Sequence, residues 1–392
     1  MSIDFFAEAN AMREELVARR RDFHMHPEIA FEEVRTAGIV ATELNNLGLE
    51  VQTGIGKTGV VAILDGDKDG PTVLVRADMD ALPIIEANQT DYVSQSAGKM
   101  HACGHDGHTA IGLGVAKLFA QHRDKIAGRI KFVFQPAEEI GEGAKAMVAD
   151  GALNTPHPDV SLGLHLWNTE PVGALNVQTG SVMAGISKFI IEIKGSGGHG
   201  AMPHETIDPI ICAAQMTLAL QTIVSRNASP LESVVLSVGV LSAGTASNII
   251  PETARLEGTY RIFSEEMRQL VTKRLTEIAE HTAAAMGCTV DIKLAHQALP
   301  VSNDEAVVNR VRDAWKALGL ESNFYYERTT ASEDVGTFME DIPGMFFFLG
   351  SGNDEKGLNY GHHHPRFDFD EDVLPIGVAV LSAAIAEYIL ED

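Results

Sequence analysis

The chain has 392 residues, too long for one ordinary hydrophobic core, so two domains are expected. Apolar residues make up 45% and charged residues 21%, the balance of a soluble globular protein. The net charge of -24, from 30 Lys+Arg against 54 Asp+Glu, repels phosphate backbones and anionic lipid and argues against nucleic-acid and membrane partners. Three cysteines, Cys103, Cys212 and Cys288, make no disulfide framework and point to a reducing compartment. The first residues lack the apolar core of a signal peptide, and the apolar stretch 373–386 is too short to span a bilayer, so a cytoplasmic location is expected.

In chain order, residues 5–22 read as helix. β-type runs follow at 60–64 and 72–76, then a helix over 109–121. Further β-type runs cover 130–134 and 160–166, with a short helix at 144–150 between them. Strands alternating with helices predict an α/β sheet. The middle differs. Residues 187–194 form a strand with Phe189, Ile191 and Ile193 alternating, and a long apolar helix fits 209–225. Strands follow at 233–240 and 253–263. A helix then carries Met267, Leu270, Val271, Leu275 and Ile278 on one face, with Gly287 placed to cap it, and a strand covers 289–295. This β-α-β-β-α-β order is ferredoxin-like. The expected fold is thus an α/β catalytic domain, residues 1–185 and 298–392, carrying an inserted α+β domain at 186–297. After the insert, Ser302-Asn303-Asp304-Glu305 reads as a capping box opening a helix that ends at Gly319. Residues 345–349 read as a buried strand and 371–390 as the last helix.

Five segments carry chemistry. Met100–His108 (MHACGHDGH) places His101, Cys103, His105, Asp106 and His108 together. Thiolate with imidazole suits zinc or another late divalent ion. The competing readings are a polar loop before the helix at Thr109, and a cysteine–histidine nucleophile pair. Glu138-Glu139 follow the 130–134 strand, where one carboxylate can hold metal while its neighbour moves a proton. His165 lies in an apolar run, where a satisfied core histidine is the commoner occupant. Asp78 and Asp80 follow the 72–76 strand and also fit turn aspartates before Pro83. His362-His363-His364 is no purification tag, because 28 residues follow it. Four of the five segments follow four different predicted strands, and open α/β sheets gather such ends at one edge. A set of one Cys, one Glu and three His is too rich for a single open tetrahedral ion. It fits two metals sharing a water.

RRDFHMHPEIAFEE, RADMDALP, MHACGHDGH, FQPAEE, GLHLW, GGHGAMPH, SNIIPE and HHPRFDFD occur in this order from residue 20 to residue 370. With them the chain resembles the M20 metallopeptidases, in the amidohydrolase branch of hippurate hydrolases, N-acyl-amino-acid amidohydrolases and auxin-conjugate hydrolases. The resemblance implies two divalent ions (zinc, manganese, cobalt or nickel) held by Cys103, His105, Glu139, His165 and His363. It implies Glu138 as general base to a metal-activated water, and His199 as the lid histidine contacting the reacting carbonyl. Asn248 and Arg261 would meet the substrate carboxylate, and the inserted domain would form a homodimer. Asp78 stands where other branches carry a ligand histidine, so the orienting role of Asp80 does not transfer directly. The implied reaction is hydrolysis of a small N-acylated amino acid. The rivals are a metallo-carboxypeptidase or dipeptidase, and a hydrolase using Cys103 as nucleophile. The Glu333-Asp334 pair reads as a helix start.

Overall fold

The computed structural model describes residues 3–390. The chain divides into two compact units. The first comprises Met1–Val182, Val301–Arg328 and Glu333–Asp392; the second comprises Met183–Pro300 with Thr329–Ser332.

The first unit is built on an eight-stranded mixed sheet. Its order is Glu50–Ile55, Gly59–Asp65, Ala127–Gln135, Lys68–Asp78, Val160–Pro171, Gly344–Gly352, Leu175–Asn176 and Phe324–Tyr325. The four middle strands, from Ala127–Gln135 to Gly344–Gly352, run parallel. Every residue of Gly344–Gly352 is buried, as are the last six of Ala127–Gln135. This explains their unbroken apolar runs, since a parallel strand is covered on both faces. Because these strands point the same way, Asp78, Gln135 and the His165 region leave the sheet toward one edge.

The helix at the metal-type cluster begins at His105, four residues before the expected start, and runs to Gln121. Gly104, at φ +91°, makes the left-handed turn that launches it, so His105 and His108 sit in its first turn. The helix packs against Val373–Ile389, and the two approach closely at Gly114, where a Cβ would lie 2.7 Å from Val378. Pro375 falls in the first turn of Val373–Ile389, where its missing N–H is not needed. The longest elements not anticipated are helix Val34–Asn46 and strand Glu50–Ile55. The helix is rich in β-branched residues and contains Gly38, so its propensity is poor, and tertiary burial of Ala37, Val40, Ala41 and Leu44 holds it. At the expected capping box, the side chain that caps is Asp304, which accepts from Val307 N at 3.0 Å. Asn303 instead joins the carbonyls of Gln178 and Phe346.

The second unit has a four-stranded antiparallel sheet in the order Val235–Ala243, Thr253–Ile262, Gly185–Lys194, Thr289–Ala298. Helices Pro209–Leu220 and Glu265–Ala285 complete the ferredoxin-like β-α-β-β-α-β order. Both helices are capped by side chains, Asp208 to Ile210 N and Ser264 to Met267 N. Burial alternates strictly along Gly185–Lys194 and Thr253–Ile262, which places Phe189, Ile191, Ile193, Leu256 and Tyr260 against the helices. Phe189 lies over Gly258, where a Cβ would come within 2.3 Å of its ring. Among the described residues no helix is long and apolar enough to cross a membrane.

Phe189 is fully buried at the centre of this sheet. Phe189→Ala is expected to destabilise the second unit by about 3–5 kcal/mol, read as a lower midpoint in urea unfolding.

Candidate metal centre

The sheet edge of the first unit collects the side chains of four of the predicted segments and the first turn of His105–Gln121. Cys103 Sγ lies 3.6 Å from His165 Nε2. His165 donates from Nδ1 to Leu166 O at 2.7 Å, which leaves the Nε2 lone pair facing the thiol. His105 donates from Nδ1 to Asp80 O at 2.8 Å, which likewise frees its Nε2. That nitrogen lies 3.5 Å from Asp78 and 3.9 Å from both Glu138 and Glu139. His363 Nε2 is 3.4 Å from Glu139 Oε2. Its backbone sits at φ +65°, unusual for a residue with a side chain, and its amide is tied to Ala102 O.

Among the described residues five sets of ligand atoms lie within 4.8 Å of one another; three are Cys103 with His105 and His165, Cys103 with Glu139 and His363, and His105 with Glu138 and Glu139, and a fourth joins Glu138 to Glu333 and Asp334. Cys103 belongs to two of them. His108 also approaches Asp78 and His105 but has no nitrogen to spare. Its Nδ1 donates to Asp78 at 2.6 Å and its Nε2 accepts from Leu166 N at 2.8 Å. His362 points its Nε2 at Leu166 O, which leaves His363 as the member of the triplet beside Glu139.

Asp80 makes the contact that organises the two glutamates. Its Oδ1 accepts from Glu138 N and its Oδ2 from Glu139 N, each at 3.0 Å. Asp78 has a different partner set. It is buried against Arg76, whose NH1 donates to it at 2.6 Å, and against His108. Arg76 also donates to Gln135 at 2.8 Å and to Glu333 at 2.7 Å. Gln135 reaches on to Asp334 at 2.6 Å. Glu333 does cap the short helix Asp334–Met339, through the amides of Asp334 and Val335, so the helix-start reading describes half of what it does. Its other half, pairing with Arg76, carries no local sequence signal, because the partners are 257 residues apart.

The residues fit divalent cations on two grounds. First, His105 Nε2 and Glu139 Oε1 are buried with no hydrogen-bond partner, which native proteins rarely tolerate. Second, the buried charge is unbalanced. Asp78, Glu333 and Asp334 pair with one guanidinium, that of Arg76, while Asp80, Glu138 and Glu139 gather about His105. Burial and then Glu333 and Glu139 push Glu138 well above the usual carboxylate range. Burial raises Glu139 to about 7 despite the nearby His105, and burial with Glu333 raises Asp334 to about 8. At His105 burial works against the charged form, but Asp78 and the other carboxylates overcome it and raise the imidazole to about 10. A pocket that holds a histidine as a cation among protonating carboxylates is short of positive charge. Cys103 is raised by burial and by the same carboxylates, so without a cation its thiol is a poor nucleophile.

The remaining predicted residues belong to the second unit. His199 is exposed in a short strand, Gly198–His199, paired with Ile249–Ile250. Ala201 N donates to its Nδ1 at 3.0 Å, so the ring proton resides on Nε2. Asn248 lies beside it, its carbonyl accepting from Gly200 N at 2.8 Å. Arg261, on Thr253–Ile262, donates to Ser332 Oγ at 2.5 Å.

A mixed-sheet domain whose parallel strand ends gather thiol, imidazole and carboxylate side chains able to hold metal has the character of a metallohydrolase. The family model for Peptidase family M20/M25/M40 matches residues 74–387, and the chain belongs to this family of hydrolases acting on amide bonds. It is similar to the N-acetyl-L-cysteine deacetylase of Bacillus subtilis (40% identical, covering 93% of this chain and 86% of the relative). It is also similar to the IAA-amino acid hydrolase ILR1-like 4 of Arabidopsis thaliana (35% identical, 98% and 88%). Among solved structures, a Bacillus subtilis protein described as a dinuclear metal binding peptidase of the M20 family superposes with a TM-score of 0.85 (35% identical, 96% and 99%).

Removing the guanidinium while keeping the volume, in Arg76→Met, strands Asp78 and Glu333. The expected loss is about 3–5 kcal/mol of stability, measured by urea unfolding of the metal-free protein.

Proposed function

We propose that the chain hydrolyses the amide bond of small N-acylated amino acids. Two divalent ions would be held by Cys103, His105, Glu139, His165 and His363, with Cys103 between the two ligand groups it shares. When bound, these ions supply Lewis acidity and lower the pKa of water toward neutrality. Zinc, manganese, cobalt and nickel all suit a set of thiolate, imidazole and carboxylate.

The observation that carries the reading is the clamp of Asp80 on the amides of Glu138 and Glu139. It places the carboxylate assigned to proton handling next to the one assigned to ligation. In this mechanism Glu138 takes a proton from the attacking water as its oxygen bonds to the carbonyl carbon. It returns the proton to the nitrogen as the C–N bond breaks. His199, with its proton on Nε2, is the donor for the developing oxyanion. Asn248 and Arg261 are the candidates for the substrate carboxylate. Asp80 serves as a positioning group rather than a proton carrier. The names of the relatives, an N-acetyl-L-cysteine deacetylase and an IAA-amino acid hydrolase, support an acyl-amide substrate.

The second unit is proposed to carry a homodimer interface. Strand Val235–Ala243 is an open edge of its sheet, with Val235, Val240 and Leu241 each about two-fifths or more exposed. Exposed apolar edges are rarely left uncovered. Val240→Asp is expected to convert a dimer to a monomer in light scattering; an unchanged mass would remove this edge from the interface.

The reaction is tested with N-acetyl-cysteine, N-acetyl-methionine, hippurate, an indole-acetyl amino acid and a plain dipeptide, before and after chelation and metal add-back. Acyl-amide cleavage abolished by chelator and restored by metal is expected. Glu138→Ala should keep its bound metal and lose at least about 100-fold in kcat. Preference for the dipeptide would reassign the substrate, and chelator-resistant activity would return Cys103 to the role of nucleophile.

A further inference from the structure

Glu33 is fully buried, yet its carboxylate caps none of the amides of the helix Val34–Asn46 that it precedes; only its backbone carbonyl does so, accepting from Ala37 N at 2.9 Å. Its Oε1 instead accepts from Phe31 N at 3.0 Å and from Ala137 N at 2.9 Å, 104 residues away. Its Oε2 accepts from Thr58 Oγ1 at 2.6 Å. Both amides on Oε1 belong to residues in the left-handed region, Phe31 at φ +63° and Ala137 at φ +54°. That conformation is unfavourable for residues with a Cβ and persists only where the surroundings impose it.

Ala137 is the residue immediately before Glu138. It is fully buried, and its left-handed turn is where the chain leaves strand Ala127–Gln135 and swings the two glutamates toward the cluster. A buried amide that lost Glu33 would be left without a partner. The same segment also reaches the loop bearing Asp80: the carbonyl of Glu28 accepts from Ala81 N at 2.8 Å, while the Glu28 carboxylate takes the amides of Arg35 and Thr36. Residues 28–33 therefore touch the neighbour of Asp80 and the neighbour of Glu138.

We infer that Glu33 is a positioning residue for the hydrolysis. It holds Ala137 in its left-handed turn and thereby aims Glu138, which Asp80 grips from the other side. The inference rests on the assignment of Glu138 as the proton carrier. It predicts that Glu33 acts on turnover rather than on substrate affinity, because it touches a backbone amide behind the base.

The test compares Glu33→Ala, Glu33→Gln and Ala137→Gly, singly and combined, in the full metal-loaded protein. Glu33→Ala is expected to lower kcat about 100-fold with KM and bound metal little changed, the cost of a displacement near 1 Å at a reacting group. Glu33→Gln keeps an acceptor oxygen and should restore most of kcat. Glycine adopts the left-handed turn unaided, so the loss from Glu33→Ala should be several-fold smaller in the Ala137→Gly background. Independently of activity, hydrogen exchange of the peptide 135–143 in the metal-free protein should accelerate in Glu33→Ala. If Glu33→Ala does not fold, Glu33→Asp, which withdraws the oxygens by one methylene, carries the same comparisons. A folded Glu33→Ala protein with near-normal kcat would overturn the inference, as would an equal loss in both backgrounds. Full activity in Glu138→Ala would instead remove the assignment on which it rests.

Discussion

Of the cations buried in the first unit, one underlies the candidate metal centre. Arg76 sits inside the sheet with its guanidinium shared among Asp78, Gln135 and Glu333, and Gln135 passes the connection to Asp334. One side chain thus joins the ends of two neighbouring strands to a short helix more than 250 residues further along the chain. Burying an arginine is unfavourable unless its N–H fork is matched, and here charged or polar acceptors meet it on all sides. Asp78 is held on one oxygen by Arg76 and on the other by His108. Asp78 therefore stabilises the frame that the ligands stand on.

The same network leaves a surplus of negative charge. One guanidinium paired with three carboxylates leaves Asp80, Glu138 and Glu139 beside it without a second fixed cation, and burial together with this like charge displaces Glu138, Glu139 and Asp334 upward. The shortage is concentrated where His105 Nε2 and Glu139 Oε1 have no partner. Stability and metal binding are coupled in such an arrangement, since a bound cation satisfies the groups that burial penalises.

Much of this was legible in the sequence, and the exceptions have physical causes. The parallel strands announced themselves as apolar runs, and the alternation at Phe189, Ile191 and Ile193 identified the second sheet. The MHACGHDGH and QPAEE segments concentrated ligand types so densely that chemistry was the economical reading. His165 could not be distinguished from a core histidine by its neighbours, because it is buried in an apolar strand and differs only in what faces its Nε2. The start of His105–Gln121 was hidden because the glycine that launches it also reads as loop. Asp80 reads as a turn aspartate, and it does bind backbone amides, but those of a loop 58 residues distant rather than its own. Glu33 closes the RRDFHMHPEIAFEE segment but carries no chemical signal of its own: an acid next to another acid at a helix start looks like surface, and only the fold brings Ala137 to it.

The grip of Asp80 on two successive amides has a mechanical consequence. A carboxylate bonded through both oxygens to the amides of adjacent residues restrains both peptide units at once, so the backbone at Glu138 and Glu139 is held from a single point. The two successive glutamates thereby take their backbone reference from one side chain, and loss of the Asp80 carboxylate would release both at once.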